Sequence, residues 1–294
     1  IKTIREALIG NHIQAAFGII NGTSNYILTR MTEEEMNFAD ALAEAQAAGY
    51  AEADPTLDVN GWDAAHKAII LASLAYGFWV PTDKIYVEGI ESLTAADIRF
   101  ARKLGYHIKL LGIIKSGAGR EIEVRVHPTF VPEKHVLASV NGVFNAIAVK
   151  GDVVGDTLFY GRGAGQDPTS SAVISDIAEA ADALLSPRRN LGFMPHGLYG
   201  NCKPIDEIES ECYLRLTVHD RPGVIAQIAG ILGDLNIGIS SILQPESEEE
   251  GSTVALVIML HTATNAQFSQ AIDRISKLDC VTRVPRMIRV EHFT

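Results

Sequence analysis

Four carboxylates, Glu52, Asp54, Asp58 and Asp63, precede Lys67 on one short polar stretch. Asp63 and Lys67 are four residues apart, so a helix would carry both on one face. An isolated pair of this kind is ordinarily a surface ion pair, and Asp54-Pro55 alone is a common turn. The concentration argues for more. An apolar run, Ala68, Ile69, Ile70 and Leu71, follows directly. It describes a lysine whose stem is packed and whose head meets carboxylates. Such a set suits recognition of a substrate ammonium group by the acids and proton transfer by the lysine. A free lysine titrates near about 10.4, and neighbouring acids raise that value, which favours a lysine that donates a proton.

The elements around this cluster alternate helix and strand signals up to about residue 190, pointing to an α/β (α+β) domain. Ile4, Leu8 and Ile9 mark a helical face, and Ile13 to Ile20 reads as a strand. Thr23-Ser24-Asn25 resembles a cap, with a helix from Tyr26 to Met31. Thr32 with Glu35 reads as a capping box that starts an Ala-rich helix ending at Gly49. A polar loop, Tyr50 to Asn60, precedes a helix from about Gly61 to Tyr76. Strands are expected at Ile85–Gly89, His107–Ile114, Glu121–Pro128, Gly142–Val149 and Asp152–Tyr160. A helix at Ala95–Gly105 lies among them. Gly161 to Pro168 is a glycine-rich loop before a helix at Ser170–Leu185. Alone, that loop is an ordinary flexible turn and no dinucleotide fingerprint.

Prolines and glycines then break the pattern. The expected organisation is a first domain over 1–190, a connector over 191–212 and a second domain over 213–294. The second reads as βαββαβ: Tyr213–His219, Pro222–Leu235, Ile237–Gln244, Thr253–His261, Asn265–Leu278 and Val281–Val290. That order is ferredoxin-like. Glu246, Glu248, Glu249 and Glu250 read as a solvated hairpin tip.

The 294 residues have a net charge of −11, from 25 basic and 36 acidic side chains. That balance argues against nucleic acid and against an anionic membrane surface as partners. Ala68 to Val80 is too short and mixed to span a bilayer. Cys202, Cys212 and Cys280 form neither a disulfide framework nor a metal site, and no metal is expected. No signal peptide is visible, so the cytoplasm is the expected compartment. Cys202 lies far from the carboxylates, which disfavours thiol catalysis. His66 lies about 100° round the helix from Lys67 and His196 in a loop, so both read as structural or exposed. The chain opens on Ile1 in the middle of a pattern, which suggests residues upstream.

The run Ala45-x3-Gly49-Tyr50-Ala51-x2-Asp54-Pro55-x2-Asp58-Val59-x-Gly61-x-Asp63-x3-Lys67 resembles the signature of the homoserine dehydrogenases. Gly18 to Tyr26 and Gly161 to Ala172 are similar to two further segments of that family, so the resemblance covers essentially the whole chain. It implies interconversion of L-homoserine and L-aspartate 4-semialdehyde with NAD or NADP. It makes Lys67 the acid/base. Glu52 and Asp63 would orient the substrate, Glu52 through its ammonium group, and Asp58 would hold Lys67 or a water. Gly22 and Thr23 would sit beside both the nicotinamide and the reacting carbon, and Gly165 would approach the cofactor, where a missing Cβ permits close contact. The family's GxGxxG domain, a second lysine and a monovalent-cation loop have no counterpart here. The resemblance therefore implies a substrate domain separated from its cofactor domain, and inactive alone.

Residues 213–294 resemble an ACT domain, on Tyr213 to Val218, Asp220-Arg221-Pro222-Gly223-Val224, Ala226 to Leu232 and Asn236-Ile237. Pro222 is placed at the helix start, where its φ is pre-set. The resemblance implies an amino-acid effector, L-threonine in this class, bound by Asp220, Pro222, Gly223 and Val224 together with Asn236 and Ile237 of a paired copy. A homodimer or homotetramer follows. A pathway to threonine, methionine and isoleucine is implied. Two other readings stay open: a non-catalytic amino-acid-binding regulator, and a dehydrogenase for a related semialdehyde.

Overall fold

A computed structural model of the chain describes residues 1–117, 119–185, 197–245 and 253–293. After a helical turn at Thr3–Ala7, β1 (Ile13–Ile19) leads into α1 (Gly22–Glu33), α2 (Phe38–Ala47), the single-turn α3 (Thr56–Val59) and α4 (Trp62–Tyr76). β2 (Tyr86–Val87) and α5 (Ala95–Lys103) precede four longer strands, β3 (Tyr106–Ser116), β4 (Glu121–Pro132), β5 (Phe144–Gly151) and β6 (Gly155–Arg162). α6 (Gln166–Leu185) and β7 (Asn201–Cys202) follow. The remainder runs β8 (Glu209–His219), α7 (Val224–Asp234), β9 (Ile239–Leu243), β10 (Thr253–Thr264), α8 (Asn265–Ile275) and β11 (Arg286–Val290).

The strands form one mixed sheet in the order β6-β5-β1-β3-β4-β11-β8-β10-β9, with β2 and β7 also paired to β4. β8 to β11 is the expected ferredoxin-like unit, with antiparallel pairs β11–β8, β8–β10 and β10–β9. It is not a separate layer. β11 lies parallel to β4, with Arg289 opposite Thr129 and Val290 opposite Phe130.

β3 and β4 are apolar nearly throughout because both faces are covered. Ile108, Leu110, Val124 and Val126 pack with Ala64, Ala68 and Ala72 of α4, while Leu111, Ile113 and Val131 pack with Leu137, Ala138 and Val140. The small residues on α4 bring it close to the sheet. A Cβ on Gly112 would stand 3.4 Å from that of Ala68. This packing fixes the helix that carries Asp63 and Lys67.

The β4–β11 seam is charged and largely buried. Glu291 accepts hydrogen bonds from Lys115 at 2.6 Å and Arg125 at 3.1 Å, and both Arg125 and Glu291 are buried. Arg289 lies over the Tyr86 ring and donates to Asn265 Oδ1 at 2.5 Å. His127 is buried beside Arg125, and burial first, then Arg289 and Arg125, push its titration well below the usual range. The neutral ring accepts from Arg125 at Nε2, which leaves Nδ1–H for the Pro128 carbonyl.

Several boundaries differ from the sequence reading. α1 begins at Gly22 behind Asn21, so Thr23-Ser24-Asn25 lies inside the helix. Thr32 caps nothing: its hydroxyl donates back to Leu28 O, because the buried face Ile27, Leu28 and Met31 carries α1 onward to Glu33. Glu35, at φ 54°, turns the chain, and Asn37 caps α2. The glycine-rich loop shrinks to residues 163–165 between β6 and α6. Pro222 precedes α7 rather than opening it, because Gly223 at φ 90° forms the cap. The expected hairpin tip at 246–251 and Pro187, Pro195 and His196 lie outside the described residues. Among the described residues, no helix is long and apolar enough to cross a membrane.

Candidate active site

Where β1 runs out, the chain turns through Asn21 into α1. The side chain of Asn21 does two jobs. Its Oδ1 accepts from Ser24 N at 2.7 Å, satisfying one open N–H of the first helical turn. Its Nδ2 donates to Asp58 Oδ1 and Asp63 Oδ2, each at 2.7 Å. The loop preceding α4 ends at Gly61, with φ 88° and only 3.2 Å between its would-be Cβ and Glu88 O, so this turn excludes a side chain twice over. Asp63 is then set in the first turn of α4 and Lys67 one turn on. Lys67 Nζ donates to Asp63 Oδ2 at 2.6 Å and to Ile20 O at 3.1 Å. The side chain keeps 49% of its exposure.

The expected ring of four acids around Lys67 resolves into different parts. Only Asp63 touches the lysine. Asp58 is joined to it through Asn21 and Asp63 rather than directly. Asp54 faces its own loop, where hydrogen bonds from the Thr56 hydroxyl and N–H hold it below the usual carboxylate range. Glu52 is exposed, and its side chain makes no hydrogen bond among the described residues. The loop bearing it is tied to α1 by Thr23 Oγ1, which donates to Tyr50 O at 2.7 Å.

Glu52, Asp58, Asp63 and Lys67 share one cleft of about 460 Å³ with Gly22, Thr23 and Gly165. The cleft thus has a charged end and a glycine end. Val143, Asn145, Gly163 and the cationic Arg162 line the second. A Cβ on Gly22 would come to 3.1 Å from Val143 O, and one on Gly163 would fall on the Asn145 amide.

A buried clamp holds that wall. Asn25 Nδ2 lies 3.0–3.1 Å from the carbonyls of Val140, Gly142 and Phe144. Lys109 Nζ donates to Val140 O at 2.6 Å and Asn141 Oδ1 at 2.9 Å. Burial pushes this lysine down to about 8, against a small opposing pull from Glu33.

Asn21, Asn25, Lys109 and Asn145 escape a reading based on carboxylate clusters. The signal for Asn21 was present, because an asparagine between a strand and a helix is a strong N-cap. Lys109 sits unmarked within an apolar strand, and only the fold shows what it meets.

In the last part of the chain, Asp220, Pro222, Gly223 and Val224 line a groove of about 690 Å³ that Gln244 closes. Gln244 donates to Asp220 Oδ1 at 3.2 Å. Asn236 and Ile237 do not line this groove. They follow the far end of α7, a helix that spans roughly 16 Å. Asn236 adopts φ 56° and Ile237 is buried.

The chain is similar to known proteins over nearly its whole length. Residues 1–178 match the homoserine dehydrogenase family and residues 213–280 the ACT domain. A homoserine dehydrogenase of Pseudomonas aeruginosa is 47% identical over 298 residues, which takes in 100% of this chain and 68% of the relative. The solved homoserine dehydrogenase of Thiobacillus denitrificans has a TM-score of 0.89 at 42% identity, over 99% of this chain and 67% of that one. A hyperthermophilic archaeal homoserine dehydrogenase mutant, solved in complex with NADPH, has a TM-score of 0.52 at 29% identity over 61% of this chain and 51% of that one. With its lysine–carboxylate cleft and its ferredoxin-like C-terminal unit, the chain belongs to the homoserine dehydrogenases, a family of oxidoreductases, and carries an ACT domain.

Proposed function

We propose that this chain, acting with a dinucleotide-binding segment, interconverts L-homoserine and L-aspartate 4-semialdehyde, with Lys67 as the acid/base. The position of Lys67 Nζ carries the reading. An ammonium has three N–H donors, and two are taken by Asp63 and Ile20 O. The third is left for a substrate oxygen. In reduction Lys67 gives that proton to the aldehyde oxygen, and in oxidation its neutral amine takes the proton of the hydroxyl. Asp63 and Asn21 keep Nζ at a fixed point, and Asp58 secures Asn21. Glu52, whose carboxylate has no other partner among the described residues, takes the substrate ammonium group.

The glycine end fits a nicotinamide cofactor, NAD or NADP. Gly22, Thr23 and Gly165 would hold it, because backbone without side chains allows a flat ring to approach closely. Asn145 Oδ1 is a buried polar atom on that wall without a partner among the described residues. When bound, the cofactor supplies or accepts hydride. The relatives' extra length leaves room for the segment that binds the remainder of the dinucleotide.

For the ACT domain, we infer an amino-acid effector in the Asp220–Val224 groove, with L-threonine the candidate as an end product of a pathway through homoserine. Asn236 and Ile237, set away from that groove, would complete it from a paired copy in a dimer or higher oligomer.

Initial rates in protein carrying both segments test the reading. Homoserine should drive reduction of NAD or NADP, and threonine should lower that rate. A protein that oxidises a related amino alcohol but not homoserine would overturn the substrate assignment. Thermal shifts over the twenty amino acids test the effector. A ligand that binds only the folded state stabilises it by about 2.7 kcal/mol at a hundredfold excess over Kd.

A further inference from the structure

Asn145 is the one residue of the glycine end whose side chain carries both a donor and an acceptor and uses neither among the described residues. It is the second residue of β5, paired across to Gly161 of β6. It is not loosely held. The carbonyl of the preceding residue, Phe144, is within hydrogen-bond reach of Asn25 Nδ2 at 3.1 Å, and the Phe144 ring stacks on Tyr160. The Asn145 amide nitrogen is packed against Gly163, where a Cβ would fall 1.8 Å from it. Oδ1 has no partner among the described residues and is covered by its neighbours, 3.7 Å from where a Cβ of Gly22 would stand; a turn of the amide about its Cβ–Cγ bond presents it to the cleft.

A buried acceptor left open is costly unless a ligand donates to it. The components of the reaction offer few donors. The ammonium group of the substrate faces Glu52, its hydroxyl faces Lys67, and its carboxylate can only accept. The cofactor offers the ribose hydroxyls and the carboxamide NH2 of its nicotinamide ring, and of these the carboxamide belongs to the flat ring that the wall of Gly22 and Gly163 admits. We propose that Asn145 reads this carboxamide, accepting its N–H at Oδ1 and so fixing the rotation of the ring over Gly22 and Gly163. The proposal rests on the reading that the cleft takes a nicotinamide cofactor. It adds a specificity residue to that reading and explains why the wall is clamped by Asn25 and Lys109.

The test is equilibrium titration of the reduced cofactor against its 3-acetylpyridine analogue, which has a methyl group in place of the carboxamide NH2. The wild-type protein should bind the carboxamide form about three- to tenfold more tightly, the usual worth of one neutral hydrogen bond. Asn145→Ala should bind both forms equally, at the level of the analogue. Asn145→Asp, which keeps an acceptor, should restore the preference. An Asn145→Ala protein that retains the preference overturns the proposal, and so does one that loses affinity for both forms in proportion. All titrations use protein carrying both this chain and the dinucleotide-binding segment, and such a wild-type protein that binds neither dinucleotide overturns the cofactor reading itself. One that binds both and oxidises homoserine, yet shows no preference, overturns only the role of Asn145.

Discussion

The cleft and the β4–β11 seam both rely on basic side chains facing carboxylates, yet Lys67 keeps 49% of its exposure while Arg125 keeps 2%. At the seam every guanidinium faces a carboxylate, although Nε of Arg125, Arg286 and Arg289 is buried without a hydrogen-bond partner among the described residues. Glu291 answers Lys115 and Arg125, Arg289 answers Glu88 and Asn265, and Asp97 answers Arg215 and Tyr213. Burial pushes the Asp97 carboxyl up, but Arg215 and Thr94 more than offset it and hold it below the usual range. In the cleft, donors and acceptors are left over: a third N–H on Lys67, the Glu52 carboxylate, Asn145 Oδ1. A buried network whose charges face one another can fix the register between two parts of a sheet, even with a few N–H groups left over. An incomplete one at the mouth of a cleft is what a ligand completes.

If that contrast holds, damage to the cleft should cost rate without stability. Lys67→Ala should lower kcat by roughly 10²–10⁴, the range for a lost general acid/base. Its urea midpoint should stay at the wild-type value, since exposed ion pairs contribute little. Lys67→Arg should fail as well, because a guanidinium does not exchange its proton near neutral pH. Near-normal turnover in either variant would remove Lys67 from the chemistry.

Damage to the seam should do the reverse. Glu291→Ala leaves Arg125 buried without its closest carboxylate, and breaking such a pair costs about 3–5 kcal/mol. Equilibrium unfolding should show that loss, while kcat per folded molecule stays within about twofold. A small stability change would mean that water or Glu123, at 3.6 Å from Arg125, takes over.

Much of the cleft was legible in the sequence because its chemistry is local. Asp63 and Lys67 share a helix face by spacing alone, and the resemblance brought Gly22, Thr23 and Gly165 to the same place. What stayed hidden depends on distant chain segments. Asp54 and Glu52 look equivalent in the sequence, and only the turn that gives Asp54 to Thr56 separates them. The βαββαβ unit was readable from its periodicity, but its fusion to the first sheet was not. β11 carries a short apolar pattern like any edge strand, and nothing in it names β4 as a neighbour. Arg125, His127 and Arg289 would each pass for a solvated residue until the two strands are laid side by side.

Within the cleft, Glu52 and Lys67 should separate in their effects. If Glu52 binds the substrate ammonium, Glu52→Gln should raise KM for homoserine roughly ten- to a hundredfold, the loss expected for one charged hydrogen bond. The cofactor KM should hardly move, because Glu52 lies at the charged end. An equal rise in both would place the defect in the loop that Thr23 ties to α1.

The smallest effect separates the two regions by pH. His127 is held neutral in the folded seam by burial and by Arg289 and Arg125. Lys115 adds to the same pressure, and no carboxylate contacts the ring among the described residues. In the unfolded chain the ring takes up a proton near about pH 6.5. Below that value the unfolded state therefore binds a proton that the folded state does not. Stability contributed by the neutral ring is complete above about pH 6.5 and is lost as the pH falls, by about 1.4 kcal/mol per unit. His127→Gln keeps an acceptor for Arg125 and has nothing to titrate. His107 and His135, which burial also lowers, are common to both proteins and cancel in the comparison. The difference in unfolding free energy between wild type and His127→Gln should be constant from about pH 8 to 7. It should then move against the wild type below about pH 6, with the kcat profile of the cleft unaffected by the substitution. Parallel stability curves down to about pH 5 would show that the folded ring accepts its proton freely and that the seam is wetter than its geometry implies.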